Sequence, residues 1–451
     1  MINTDVLVIG GSASGLVAAM TARSNYPDAK VTVVRKEKDV LVPCGIPYIF
    51  GSLEGSQQNL IPEEGLDNSG AKKLIDEVMS VDCKNKSCKT KSGETISFDK
   101  IVFATGSTPN RPSWLKGSQL DNVFIVPKNR DYLDQVAAKL KDLNKIVVIG
   151  GGFIGVELSD ELNKSGKDVT LVEMLPHVLG AVFDESAAKR AEDTLIGRGV
   201  KVKAGSGIKK ISGTDRATGV VLENGEEIVA DAVFLTMGYK PNTELAKQAG
   251  LVLNEYDQIM VDEFMRTAAN PDVFAVGDCA QKRDFITRKK NRTMLASTAC
   301  AEGRTAGLNL FDLSVISHFK GTIAVFSTAI GDLAFGVAGM TYRHACEEKM
   351  KAFTTSFETP DHHPAKLEGM HLQSVELVVA KASGLVLGGT VIGGKSVGEM
   401  VNTIGLAIQN NMTVFDLLTI QIGTHPLLTS SPTSYPLVKA AELAVKKIRQ
   451  S

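Results

Sequence analysis

The chain lacks three things whose absence narrows its function: a membrane-spanning run, a cysteine framework and a dominant charge. No apolar stretch approaches the roughly 18 to 20 residues that cross a bilayer, so no membrane role is expected. Lys plus Arg number 50 against 51 Asp plus Glu, and a chain without an overall field is a poor partner for nucleic acid or an anionic surface. Small molecules are the expected partners. Six scattered cysteines match neither a disulfide framework nor a zinc spacing, which fits a reducing compartment and leaves no metal site to expect. The amino terminus enters a strand-like stretch without the charged and apolar regions of a signal peptide, so the cytoplasm is the expected location. One tryptophan against 42 glycines is the composition of a chain with many tight strand-to-helix turns, and 451 residues exceed one compact core. An α/β protein of two or three domains is expected.

What the sequence does contain begins with two glycine-rich loops. An apolar run at 5–9, with the character of a buried parallel strand, leads into Gly10, Gly11, Ser12, Ala13, Ser14 and Gly15 and then into a helical stretch from Leu16. Such a turn aims backbone N–H groups and the positive end of a helix at a pyrophosphate, and small residues let the phosphates approach. Ser12 stands at the second glycine position of G-x-G-x-x-G, which weakens the motif. The next strand, 30–34, is expected to end in an acid that accepts from a ribose hydroxyl, yet Arg35, Lys36 and Glu37 follow it. Glu37 is the candidate for that contact from a shifted position; a solvated charge run is the alternative.

The second loop is complete. A strand at 145–149 runs into Gly150, Gly151, Gly152, Phe153, Ile154 and Gly155 and opens a helix through Val156 and Glu157. A further strand at 168–172 ends at Glu173, 23 positions beyond Gly150 and near the roughly 20 expected for a ribose-binding acid. This reads as a nicotinamide dinucleotide site in which Glu173 favours NADH by accepting from the 2′-hydroxyl and repelling a 2′-phosphate. Two dinucleotide loops imply two dinucleotides.

Cys44 lies between the loops, among Leu41, Val42, Pro43, Gly45, Ile46, Pro47 and Tyr48. Pro47 suits the first turn of a helix, and a cysteine at a helix start has a lowered pKa and more of the reactive thiolate. The local segment leaves two readings open, a reactive thiol or a small buried hydrophobe. A thiol placed between two dinucleotide sites favours electron transfer from one dinucleotide to the other and on to sulfur, and therefore a flavoprotein.

Four further segments complete a resemblance to the pyridine-nucleotide disulfide oxidoreductase superfamily that covers essentially the whole chain. They are the strand and turn 100–109 with Thr105 and Gly106, the stretch 232–243 with Gly238, the stretch 270–280 with Gly277 and Asp278, and the run from Ala296 to Arg304. The resemblance implies a glutathione reductase-like fold, with two Rossmann-like domains for FAD and NAD and a C-terminal α+β dimerisation domain. It implies that Asp278 binds the ribityl chain of FAD, that Phe153 gates the nicotinamide pocket or packs under its loop, and that Glu157 lies near the flavin edge or at the surface. The expected layout is an FAD domain at 1–112 and 248–316, an NAD(H) domain at 113–247 and an interface domain at 317–451, in a homodimer.

The solitary Cys44 resembles the single-cysteine branch of that superfamily, which includes coenzyme A-disulfide reductases, persulfide and polysulfide reductases, NADH oxidases and NADH peroxidases. Peroxidases and water-forming oxidases usually carry a histidine in the first loop, where this chain has Ala13. The tyrosine-and-proline-rich terminal segment of coenzyme A-disulfide reductases has no clear counterpart. His425 before Pro426 resembles instead the acid/base histidine of two-cysteine reductases, reaching across a dimer; a histidine held in an ordered turn is the alternative. Tyr435 is a weaker candidate for a reaching side chain, with interface packing favoured. Cys83 and Cys88 read as part of a hairpin, Cys279 as packing, and His362 with His363 as loop residues lacking a ligand set.

The expected reaction passes electrons from NADH through FAD to Cys44, which attacks a small-molecule disulfide, persulfide or polysulfide while His425 protonates the leaving sulfur. The alternatives are an NADH oxidase making hydrogen peroxide from oxygen, an NADH dehydrogenase feeding a small redox protein, and a non-enzymatic NADH-sensing flavoprotein.

Overall fold

A computed structural model describes residues 1–313 and 318–450. The chain forms two compact units. The first comprises Met1–Arg111, Ile125–Lys141 and Met237–Thr322; the second comprises Pro112–Phe124, Asp142–Thr236 and Ile323–Ser451. The expected boundary at 316–317 lies outside the described residues.

The first unit is built on a sheet whose main path runs Arg266–Thr267, Asn270–Ala275, Thr95–Phe103, Ile2–Ile9, Val31–Arg35 and Lys72–Ile75. From Asn270–Ala275 to Lys72–Ile75 the pairings are parallel. Parallel strands buried on both faces read as near-continuous apolar runs, and Val6, Leu7, Val8, Val33, Ile101, Val102 and Phe103 are fully enclosed. Helix Ala13–Asn25 follows the first strand and packs on helix Ala296–Leu308. Their contact needs small residues: a methyl group on Gly303 would lie 2.6 Å from the Ser14 carbonyl oxygen, and one on Gly307 2.8 Å from that of Ala18. The Gly- and Ala-rich sequences of the two helices are thus a packing requirement. Cys83 falls in the turn between the antiparallel strands Val78–Asp82 and Ser87–Thr90, where Cys88 pairs opposite Val81. This is the expected hairpin.

The second unit holds two sheets that position candidate residues. One runs Lys201–Lys203, Asp168–Val172, Lys145–Ile149, Ala232–Leu235 and Val123–Ile125, with the first four strands parallel. The other is antiparallel throughout, in the order Val325–Ile330, Leu333–Gly339, Val386–Gly393, Leu372–Ala380 and Ala352–Pro360. Helix Val397–Gln409 packs on the central strands of this second sheet, and helix Pro436–Gln450 on the strands at its other side. Gly336 accommodates Val397 and Val401 there: a methyl group on it would lie 3.1 Å from each side chain. The expected mixture of two Rossmann-like sheets and an α+β carboxyl-terminal part is present. Among the described residues no helix is long and apolar enough to cross a membrane.

Candidate active site

In the first unit the glycine loop meets the segments that the resemblance singled out. A methyl group on Gly15 would fall 2.0 Å from the Gly10 carbonyl oxygen, and Gly10 itself, at φ +109°, abuts the Ala104 carbonyl. Ser12 caps helix Ala13–Asn25 in extended conformation, and its side chain makes no capping bond. Gly277, at φ +75°, lies against Ser14, so the loop touches the turn that carries Asp278. The Asn242 N–H donates to Gly106 O at 2.9 Å and the Thr105 hydroxyl to Asn242 O at 2.6 Å. These bonds hold Thr105 and Gly106 beside the short strand Tyr239–Pro241 that follows Gly238, and methyl groups on Gly106 or Gly238 would point into open space.

Asp278 is the charged centre of this cluster. Ser107 Oγ donates to its Oδ2 at 2.6 Å, and Lys128 Nζ donates to the same oxygen at 2.9 Å. Burial pushes the carboxyl up, but Lys128 and the Ser107 hydroxyl outweigh it and hold the pKa below the usual carboxylate range. Asp278 is therefore an ionised acceptor suited to hydroxyl groups. Behind it, Lys282 and Glu302 form a fully buried ion pair at 2.9 Å; Lys282 also donates to Gly277 O and Ala280 O, and Glu302 accepts from the Gly277 N–H. Lys128 and Lys282 were not legible as site residues, because nothing near them in sequence marks a partner; Glu302 lies in the run 296–304 that carried the resemblance, but without a role of its own there. The close loop, the open space beyond Gly106 and Gly238 and the ionised Asp278 fit FAD.

Cys44 is exposed in a single 3-10 turn, Pro43–Gly45, followed by a second, Pro47–Phe50. Pro47 opens the second turn as expected, but the turn is 3-10 and Cys44 lies in the one before it rather than at its start. Pro47 has no N–H to donate to Pro43, so the chain makes only the tighter bond from the Ile46 N–H to Pro43 O, at 3.4 Å. Asn59 pins the turn: its Nδ2 donates to Val42 O at 3.0 Å, its backbone carbonyl accepts from Val42, and a methyl group on Gly45 would overlap its Oδ1. Arg130 ties the flanks together, binding Asp39, the Ser56 hydroxyl at 3.0 Å and Gln57 Oε1 at 2.6 Å. Burial pushes the thiols of Cys83, Cys88, Cys279 and Cys300 up, Cys88 to about 11, away from thiolate chemistry. Glu37 lies beyond the Val31–Arg35 strand with its carboxylate 3.7 Å from Lys36.

In the second unit the complete loop has the close approach its glycines predict. A methyl group on Gly155 would fall 1.8 Å from Gly150 O, whereas one on Gly152, the cap of helix Phe153–Lys164, would meet nothing within 4 Å. Glu173 is fixed by two backbone donors, with Gly151 N–H on Oε2 at 2.5 Å and Leu175 N–H on Oε1 at 2.7 Å. Phe153 stacks on Phe326 at 5.2 Å, next to Ile154 at the helix start. Glu157 is not a solvated surface residue. Desolvation pushes its pKa up to about 7; the Thr328 hydroxyl, donating at 2.8 Å, opposes the rise, and Glu161 adds to it.

His425 stands in an exposed turn of the same unit. The Leu427 N–H donates to His425 Nδ1 at 3.2 Å, which leaves the proton of the neutral ring on Nε2. His363 braces the turn, its N–H donating to Pro426 O at 3.0 Å and its ring Nδ1 lying 2.9 Å from Thr429 O. His363 thus has a structural task that its sequence did not reveal. Tyr435 sets its hydroxyl 3.9 Å from Met400 Sδ and is half-buried.

Residues 4–303 match the family model described as pyridine nucleotide-disulphide oxidoreductase, and residues 325–435 match the dimerisation domain of that family. The NADH oxidase of Enterococcus faecalis is 31% identical over 423 residues, covering 91% of this chain and 93% of that one. The NAD(P)H coenzyme A polysulfide/persulfide reductase of Pyrococcus horikoshii is 31% identical over 373 residues, covering 80% and 82%. The solved structure of an NAD-dependent persulfide reductase from A. fulgidus superposes with a TM-score of 0.91 at 30% identity, over all of this chain and 84% of that one. With the close-packed glycine loops, the ionised Asp278 and both family models in agreement, the chain belongs to the pyridine nucleotide-disulphide oxidoreductase family and is an FAD-dependent NAD(P)H oxidoreductase.

Proposed function

We propose that the protein passes electrons from NADH through FAD to Cys44 and on to a low-molecular-weight disulfide, persulfide or polysulfide. The observation that carries this reading is the exposed Cys44 on a pinned turn, in the unit that bears the first glycine loop and Asp278. Ala13 supports it too, standing where the peroxidases and water-forming oxidases of the resembled superfamily usually carry a histidine. The names of the Pyrococcus and A. fulgidus relatives point the same way.

The glycine loop residues Gly10, Ser12, Ala13, Ser14 and Gly15, with Thr105, Gly106, Gly238 and Gly277, would hold FAD, and Asp278 would accept from its ribityl hydroxyls. Gly150, Gly152, Ile154 and Gly155 would seat the pyrophosphate of NADH, Glu173 its ribose, and Phe153 with Glu157 the nicotinamide end. Bound FAD would supply what the side chains lack, a two-electron carrier between NADH and the oxidised Cys44. The Cys44 thiolate attacks one sulfur of the acceptor, forming a Cys44–S–S–R bond as the other sulfur leaves with the electron pair of the broken bond. His425, as imidazolium, is the proton source for that leaving sulfur and returns to the neutral ring. The layout of FAD, NAD(H) and interface domains, a homodimer and a cytoplasmic setting belong to the same proposal.

A second reading, an NADH oxidase, draws on the Enterococcus relative's name. The protein is reduced anaerobically with NADH and then mixed separately with coenzyme A disulfide, polysulfide or air. Fast reoxidation by a sulfur acceptor is expected; fast reoxidation by air alone favours the oxidase, and reoxidation by none of them favours a carrier or sensor.

A further inference from the structure

The two glycine loops close in the same way around opposite charges. Gly10 and Gly150 each donate at 2.8 Å to the residue that precedes the strand-end position, Val34 and Val172. Arg35 and Glu173 are therefore equivalent by register. Their packing agrees: a methyl group on Gly151 would lie 2.9 Å from Glu173 Cβ, and one on Gly11 would lie 2.5 Å from Arg35 Cδ and 3.2 Å from its Cβ. The first loop carries a guanidinium where the second carries a carboxylate.

A carboxylate there accepts from ribose hydroxyls, whereas a guanidinium can only donate. Arg35 is 4% exposed, and its Nη2 donates to Lys38 O at 2.8 Å and to Glu63 Oε1. Its Nε is buried with no acceptor among the described residues. Glu63 caps the short helix Glu64–Ser69, and its other oxygen accepts from Lys73, on the edge strand paired with Val31–Arg35. Burial would raise the Glu63 pKa, but Lys73 and Arg35 hold it below the usual range, so it is ionised; its side chain stays 34% exposed. An arginine at this place can also serve a 2′-phosphate. The Glu63 carboxylate bound to it repels one.

We infer that Glu63, mounted on Arg35 and Lys73, is the carboxylate that accepts from the adenosine ribose hydroxyls of FAD, in place of the acid missing from the strand end. Arg35 is its positioning residue, and the unsatisfied guanidinium edge marks the side from which a ligand oxygen completes the cluster. This rests on the assignment of FAD to the first loop.

The test is flavin binding to the flavin-free protein, followed by fluorescence quenching, with FAD and with FMN, which has no adenosine. Glu63→Gln is expected to weaken FAD about tenfold, the worth of one hydrogen bond to a charged group, and to leave FMN unchanged. Glu37→Gln is expected to change neither. The double variant Arg35→Glu with Glu63→Gln restores an acid at the strand end and is expected to recover FAD binding to within about threefold of the parent. FAD affinity unchanged in Glu63→Gln, equal weakening of FMN, or the loss appearing in Glu37→Gln instead would each overturn the inference. Parent protein that binds no FAD at all would instead remove the flavin assignment on which it rests.

Discussion

Glu157 is expected to titrate near neutrality, and exchanging it for glutamine turns that into a measurable stability. Desolvation lifts its pKa from 4.5 to about 7, with Glu161 reinforcing and Thr328 opposing the rise. Because the folded protein holds this proton more tightly than the unfolded chain, the ionised carboxyl is a penalty. That penalty is absent below the unfolded value, grows as pH rises through 7 and is complete above it. A rise of about 2.5 units at 1.36 kcal/mol each amounts to about 3 kcal/mol. Glu157→Gln keeps the shape and an acceptor for Thr328 while removing the charge. The variant should exceed the parent by about 3 kcal/mol at pH 8.5 and by less than half of that at pH 5.5, read from urea unfolding of the flavin-free protein. Thr328→Val removes the opposing hydrogen bond and should move Glu157 further up, seen as a shift of the pH profile for flavin reduction by NADH to higher pH. A stability gain that is the same at both pH values, or a loss at pH 8.5, would refute the reasoning.

Three other outcomes follow from the same geometry. Lys282→Met leaves Glu302 buried without its partner and should cost about 3 to 5 kcal/mol, with loss of bound flavin, measured by urea midpoint and flavin content. If Glu173 serves the NADH ribose as proposed, Glu173→Ala should erase most of the preference for NADH over NADPH, as the ratio of kcat/KM values, by removing that acceptor and the charge that repels a 2′-phosphate. Arg130→Ala frees the flanks of the Cys44 turn and should slow turnover of sulfur acceptors several-fold while leaving flavin reduction by NADH unchanged in stopped-flow traces.

The parts of the site that could be read from sequence are those built within one short stretch. Each glycine loop is a strand, turn and helix in a row, so its backbone task shows in the order of residues, and the hairpin at Cys83 and Cys88 is local in the same sense. Contacts that join distant segments were not readable. Lys128 reaches Asp278 from 150 positions away, and Thr328 reaches Glu157 from 171. Arg35 looked like a missing acid because its counterpart Glu63 arrives from another segment with no signal of its own. The Cys44 turn shows a different failure. Pro47 was read as the first turn of a helix, and it does open one, but a 3-10 turn that begins after Cys44.

Cys44 is the proposed exit for electrons, and Cys44→Ser isolates that step. Rapid-mixing spectroscopy of the FAD-loaded variant follows flavin reduction by NADH, and a second mixing with coenzyme A disulfide or polysulfide follows reoxidation. Flavin reduction at the parent's rate and no reoxidation by either sulfur acceptor are expected. Sulfur-acceptor turnover retained in Cys44→Ser would contradict Cys44 as that exit.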